Sequence, residues 1–209
     1  MTKKERALLA VERLETRYPD AVCSLTAADA FQLLVATRLS AQCTDARVNL
    51  VTPALFERFP TAKALAETTA EEVEPYIRSC GLYKTKARDL VAMATMLCEI
   101  YDGEVPNTME ALTALPGIGR KTANLICGDV YGMPGAVVAD THCIRITNRL
   151  GLSQGTDPRR VEEQLRKLLP PDKSNDFCHR LVVFGREICT ARSPKCADCP
   201  LSDACPAKV

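Results

Sequence analysis

The chain has no long hydrophobic run. Nothing in its 209 residues approaches the roughly 18 apolar residues of a membrane-spanning helix. Met1 to Asp20 alternates charge where a secretion signal would carry an apolar core. A soluble, cytoplasmic protein with no membrane partner is the expectation. Charge of one sign is also missing. Lysine and arginine number 27 against 26 acidic residues, a net of +1. Any polyanion must therefore be met by a local patch and not by a global field. No linker is rich enough in Gly and Ser to mark a clean domain boundary, and no repeat of fixed period is visible. The two histidines, His142 and His179, lie far apart and offer no paired metal-ligand spacing.

Extended segments are nearly absent. Only Ala136 to Ala139 reads as one, and a single short segment makes no sheet. What is present is helical periodicity. Leu90, Ala94, Leu97 and Tyr101 share one helix face, as do Val161, Leu165, Leu168 and Leu169. Asp157-Pro158 opens the second of these helices and Pro170-Pro171 closes it. Thr69-x-x-Glu72 and Asn107-x-x-Glu110 read as capping boxes. Further helices are expected near 2–17, 28–39, 45–58, 120–131, 141–150 and 175–188, with a kink or break at Pro53. The fold class is all-α. At 46% hydrophobic and 25% charged residues, the composition is that of a packed globular chain.

Cysteine is the one surplus, at eleven residues. Without a secretion signal, a disulfide framework is not expected. Seven are scattered, and four crowd the last stretch as Cys189-x6-Cys196-x2-Cys199-x5-Cys205. Thiolates bind soft or borderline metals, so tetrahedral zinc and a four-iron cluster are both candidates. Zinc ribbons pair two short knuckles, and here only Cys196 and Cys199 are so paired. Arg192 and Lys195 lie inside the first loop, where they could meet phosphates or simply face solvent.

Leu115-Pro116-Gly117-Ile118-Gly119-Arg120-Lys121-Thr122 joins two helices. Two glycines around an isoleucine allow a tight turn, and their missing side chains leave backbone N–H groups open at a helix N-terminus. This reads as a helix–hairpin–helix, a reader of DNA backbone, with a plain interhelical turn as the alternative. A P-loop is excluded by the intervening Arg120, the absent upstream glycine and the preceding helix. Lys121 falls in the first turn, where the helix dipole disfavours a cation, and a neutral amine is a nucleophile. Asp140 follows the apolar Val137-Val138-Ala139 and precedes a helix, a place that suits an N-cap as well as a catalytic carboxylate.

Hairpin, lysine, aspartate and cysteine tail, in this order, resemble the endonuclease III family of bifunctional DNA glycosylases. Leu39-Ser40-Ala41-Gln42-Cys43-Thr44-Asp45, Gly81-Leu82-Tyr83, Leu115 to Ala123, Val138 to His142 and the tail carry the resemblance. It spans nearly the whole chain. It implies a six-helix barrel domain at about 22–132 with the hairpin at about 108–127. A discontinuous iron–sulfur domain would comprise 1–21 and 133–209. Lys121 and Asp140 match the family's catalytic residues. Gln42 and Leu82 match those that fill the gap left by a flipped base. Gly117, Gly119, Arg120, His142, Arg192 and Lys195 are the remaining candidates for DNA contact. Cys189, Cys196, Cys199 and Cys205 match the ligands of a [4Fe-4S] cluster.

The implied function is base-excision repair: removal of oxidised pyrimidines from double-stranded DNA, coupled to strand cleavage at the abasic site. A monomer acting at the nucleoid is expected. Without the resemblance, Gln42 reads as a polar loop residue and Leu82 as core packing. Arg38 and Ser193 depart from the family pattern. The rival readings are a monofunctional mismatch glycosylase, a non-catalytic DNA-binding module with structural zinc, and a ferredoxin-like electron carrier. The lysine at the hairpin argues against the first and the missing tight cysteine run against the last.

Overall fold

The computed structural model describes residues 1–207; Lys208 and Val209 lie outside the described residues. Among the described residues there are eleven α-helices, two short 3-10 turns and no strand. The helices are α1 (Lys3–Arg17), α2 (Ala30–Ser40), α3 (Asp45–Arg58), α4 (Ala62–Ala66), α5 (Ala70–Ile77) and α6 (Tyr83–Tyr101). They continue with α7 (Met109–Ala114), α8 (Arg120–Asp129), α9 (Thr141–Arg149), α10 (Pro158–Arg166) and α11 (Ser174–Glu187). The chain divides into two compact units. One is Met1–Cys23 with Gly132–Val209, and the other is Ser24–Tyr131.

The Ser24–Tyr131 unit is built around α2. Phe31, Leu33, Leu34, Val35, Ala36, Thr37 and Leu39 are all buried, so this helix has almost no polar side. A helix apolar all round must be covered all round, and α3, α6 and α8 pack on it. The longest helix, α6, buries Leu90, Met93, Ala94 and Leu97 and also packs against α4 and α5. In the other unit, α11 is the centre, with α1 and α9 against it. Phe177, Leu181 and Phe184 of α11 are 0–1% exposed, as are Ala7, Ala10 and Leu14 of α1. The buried Arg180 is held by Glu15 at 3.6 Å, Asp176 at 3.7 Å and the Tyr18 carbonyl at 3.3 Å.

Several sequence expectations change. The capping box at Thr69 forms as expected, with both reciprocal bonds present. Asn107 does not cap α7. Thr108 does, accepting from the Ala111 amide at 3.2 Å, which moves Glu110 to the second helical position, out of reach of the cap amide. Helix α3 runs through Pro53 without a break. Its buried Val48, Thr52 and Leu55 hold both halves on one apolar face. The single turn α4 was not foreseen, since five residues carry too little periodicity to read; its one signal was the Thr61 cap. Ala136 to Ala139 are buried, and among the described residues there is no strand for them to join.

Candidate functional site

The hairpin lies in the Ser24–Tyr131 unit. Helix α7 stops at Leu115, and the Ile118 amide donates back to the Leu115 carbonyl at 3.1 Å, closing the turn. Ile118 is 5% exposed and anchors the turn in the core. Gly117 adopts φ +75°, the left-handed region where a side chain is strained. It also has no room for one. A Cβ there would strike the Arg38 guanidinium and lie 2.8 Å from Asp89 Oδ2. Arg38 and Asp89 are themselves an ion pair, with Nε to Oδ2 at 3.0 Å. The departure at Arg38 therefore has a structural role: the one charge on α2 is neutralised by α6 and braces the hairpin from beneath.

Gly119 is the N-cap of α8 and supplies no side-chain cap. Space around its missing Cβ is open. The first amides of α8 thus stand at an uncapped, accessible helix N-terminus, the arrangement that receives a phosphate. Arg120 is half-buried and Lys121 is exposed beside it.

Gln42 and Leu82 belong to the same unit. Among the described residues only three non-glycine residues have positive φ: Gln42 at 55°, Leu82 at 59° and Asp102 at 53°. The left-handed region costs such residues about 1–2 kcal/mol. Asp102 merely ends α6. Gln42 is exposed, and Leu82 is 60% exposed. Core packing, the plain sequence reading of Leu82, is overturned. The loops that carry the two residues meet, because a Cβ on Gly81 would lie 3.4 Å from the Gln42 carbonyl oxygen. Strained, exposed residues side by side are the kind of outlier from which function is inferred.

The other unit contains Asp140 and the four tail cysteines. Asp140 does cap α9: its Oδ1 accepts from the Cys143 amide at 2.7 Å. That bond uses one carboxylate oxygen and leaves the other for a different partner. His142 lies against Gly185 of α11, and any side chain at 185 would collide with the imidazole. Its Nδ1 also sits 3.2 Å from an Arg145 nitrogen. The structure thus gives His142 a packing role between α9 and α11.

The cysteine loop hangs from the far end of α9. Arg145 donates to the carbonyls of Gly185 at 3.2 Å and Cys189 at 3.0 Å. Arg149 donates to Cys189 Sγ at 3.3 Å and to the carbonyls of Thr190 at 2.7 Å and Ala191 at 2.9 Å. Arg13 of α1 ties down the other end through the Pro200 carbonyl at 2.8 Å and a paired bond to Asp203. These arginines were missed in the sequence. The spacing of Arg145 and Arg149, four apart on one helix face, was the available signal.

Cys189, Cys196, Cys199 and Cys205 line one pocket with Ile146 and Phe184. Among the described residues no three His, Cys, Asp or Glu side chains meet as closely as a single ion requires. The thiols surround a space instead of converging on a point. That space admits the centre of a water-sized sphere over about 30 Å³, more than the roughly 10–15 Å³ one water needs. Burial, and the other three thiols around it, push the Cys199 thiol up. The Leu201 amide lies 3.4 Å from Cys199 Sγ. Four soft donors, an apolar wall and N–H groups aimed at sulfur fit an iron–sulfur cluster. Arg192 and Lys195 are exposed on the same loop.

Comparison with known proteins agrees with this geometry. A family model described as HhH-GPD superfamily base excision DNA repair protein matches residues 35–171. The iron-sulfur binding domain of endonuclease III matches residues 189–205. The chain is 46% identical to the endonuclease III of Synechocystis sp., covering 98% of this chain and 94% of that protein. It is 39% identical to the endonuclease III of Escherichia coli strain K12, over 97% and 95% respectively. A solved structure of a trapped endonuclease III–DNA covalent intermediate, an estranged-adenine complex, matches with a TM-score of 0.93 and 41% identity. It covers 100% of this chain and 98% of that one. A thermostable thymine-DNA glycosylase shares the fold at a TM-score of 0.85 and 23% identity, over 98% and 97%.

Proposed function

We propose a mechanism from one premise: the chain belongs to the endonuclease III family of the HhH-GPD superfamily of base excision DNA repair proteins. It is a DNA glycosylase and abasic-site lyase, and its cofactor is a [4Fe-4S] cluster. The finer assignments are ours. Lys121 is the nucleophile, Asp140 is the catalytic carboxylate, and the substrates are oxidised pyrimidines in duplex DNA. The enzyme acts as a monomer in the cytoplasm, at the nucleoid.

The observation that carries this reading is the match, over the whole chain, to an endonuclease III trapped covalently on DNA. A covalent intermediate requires a protein nucleophile. Lys121, exposed at the open N-terminus of α8, is an amine in a suitable place. Its Nζ attacks the sugar C1′ and the damaged base departs. The Schiff base so formed acidifies the C2′ proton. Loss of that proton breaks the strand on the 3′ side by β-elimination. Asp140 stabilises the cationic sugar as the base leaves and assists deprotonation of the amine.

A base inside a duplex must be extruded before it can be attacked. Leu82 wedges into the vacated stack, and Gln42 offers hydrogen bonds to the orphan base. The first-turn amides of α8 after Gly119, with Arg120 and the Gly117 turn beside them, hold backbone phosphate. The cluster, held by Cys189, Cys196, Cys199 and Cys205, supplies a rigid polynuclear crosslink within its loop. Arg192 and Lys195 then meet phosphates from a fixed surface.

The test is borohydride trapping on a duplex with one abasic site. Lys121→Gln should bind damaged DNA and form no trapped adduct. Asp140→Asn keeps the capping oxygen and should fold normally. It should lose base excision by roughly 10²–10³-fold while binding changes little. A trapped adduct from Lys121→Gln would move the nucleophile to another amine.

A further inference from the structure

Two of the seven cysteines outside the metal site stand where the two strained loops meet. Cys43 follows Gln42, and Cys80 lies two residues before Leu82. Each closes a turn, Cys43 N–H to the Ser40 carbonyl at 3.0 Å and Cys80 N–H to the Ile77 carbonyl at 2.9 Å. A Cβ on Gly81 would lie 3.4 Å from the Gln42 carbonyl oxygen, so the two loops meet one residue away from each cysteine. The Cys43 thiol is near enough to act on the Cys80 thiol electrostatically. Both are unbridged; Cys80 is fully buried and Cys43 is partly open to solvent.

A third group completes the cluster. Lys86, one turn into α6, is 0% exposed. It donates from Nζ to the Leu39 carbonyl at 2.7 Å, and its charge is felt by both thiols. Burial holds its ammonium below the ordinary lysine value, and Cys80 is pushed up to about 11 by its own burial and by Cys43. The mechanism above uses none of these three side chains. Thiols react with peroxides as their anions, and of the two Cys43 is the one open to solvent.

We propose that Cys43 and Cys80 form a peroxide-reactive dithiol that closes into a disulfide across the Gln42 and Leu82 loops. The Cys43 thiolate attacks one peroxide oxygen, the O–O bond breaks, and a sulfenic acid and hydroxide result. The Cys80 sulfur then attacks Cys43 Sγ, the S–O bond breaks, and the departing hydroxide takes the Cys80 proton as water. Two thiols and one hydrogen peroxide give one disulfide and two waters. Excess thiol reductant reverses it. The bridge fixes two loop tips that must enter DNA independently, so the oxidised enzyme excises poorly. That consequence, unlike the bridge itself, rests on the roles given to Gln42 and Leu82.

The experiment treats the cluster-loaded protein with equimolar hydrogen peroxide. It follows three readouts: peptide mass spectrometry, cluster absorbance at about 400 nm, and single-turnover base excision. A peptide linking residues 43 and 80 should appear while the cluster band persists. Excision should fall by roughly tenfold and recover in dithiothreitol. Cys43→Ala, at the accessible position, should keep full activity with and without peroxide; Cys80→Ser is the second variant. Absence of the linked peptide, or equal inhibition of Cys43→Ala, overturns the proposal. A linked peptide with unchanged excision leaves the bridge standing, and overturns both its effect on repair and the gap-filling roles of Gln42 and Leu82.

Discussion

The hairpin at 115–121 and the cysteine loop at 189–205 both hold irregular backbone in one shape, and they do it by opposite means. The hairpin is locally determined. A bond from Ile118 to Leu115, one buried isoleucine and a left-handed glycine make the turn, and the Arg38–Asp89 pair supports it from a distance. The cysteine loop has short-range bonds as well, such as Ser202 N–H to the Cys199 carbonyl at 3.1 Å, but it also hangs on arginines from elsewhere: Arg149 and Arg145 of α9 and Arg13 of α1. Its shape therefore rests on contacts distant in sequence and on the cluster. A site built from short-range bonds tolerates change far away, whereas one built from long side chains does not.

The largest expected effect breaks the local side of this contrast. Gly117→Ala should cost about 2–3 kcal/mol, combining left-handed strain with collision against the Arg38–Asp89 pair. Urea denaturation of the purified protein measures it, and the cluster band should be unchanged. The distant side comes next. Arg149→Ala removes three bonds to the loop, at about 1–3 kcal/mol. The cluster should bleach faster in air while the affinity for undamaged DNA stays near normal. If Arg149→Ala weakened both regions alike, the contrast would be wrong.

Leu82→Gly sharpens the comparison from a third place. It relieves a left-handed leucine and removes an exposed apolar side chain, so stability should hold or rise by about 0.5–1 kcal/mol. Excision should nevertheless fall. The smallest effect concerns charge. If Arg192 and Lys195 each neutralise one phosphate, replacing either by Ala should lower the slope of log affinity against log salt by about 0.9. Lesion preference should not move, since phosphate contacts position without specifying.

The same contrast explains what was legible in the sequence. The hairpin could be read because its determinants are adjacent: two glycines, an isoleucine and a helix start. The Asp140 cap and the Thr69 capping box were readable for the same reason. The metal site was readable only as a spacing of cysteines. Its supports were not, because Arg149 and Cys189 are 40 residues apart. Arg38 looked like a departure until Asp89, 51 residues on, supplied its partner. Leu82 beside Gly81 reads as a core leucine, and only its exposure and backbone angle in the fold set it apart. Local chemistry leaves a local record; tertiary contacts leave at most a spacing, such as that of Arg145 and Arg149, with no sign of the partner.

Helix α9 spans nine residues, from Thr141 to Arg149, a rod of roughly 13 Å. Its first turn is seated on Asp140 and its last grips the cysteine loop. A rod this short has no joint, so disorder at one end reaches the other. A preparation that bleaches on the bench would then lose the fixed surface of Arg192 and Lys195 and, through the same rod, the seat of Asp140. It would weaken in a gel-shift assay and weaken further in a cleavage assay, and the fault would lie with the iron supply.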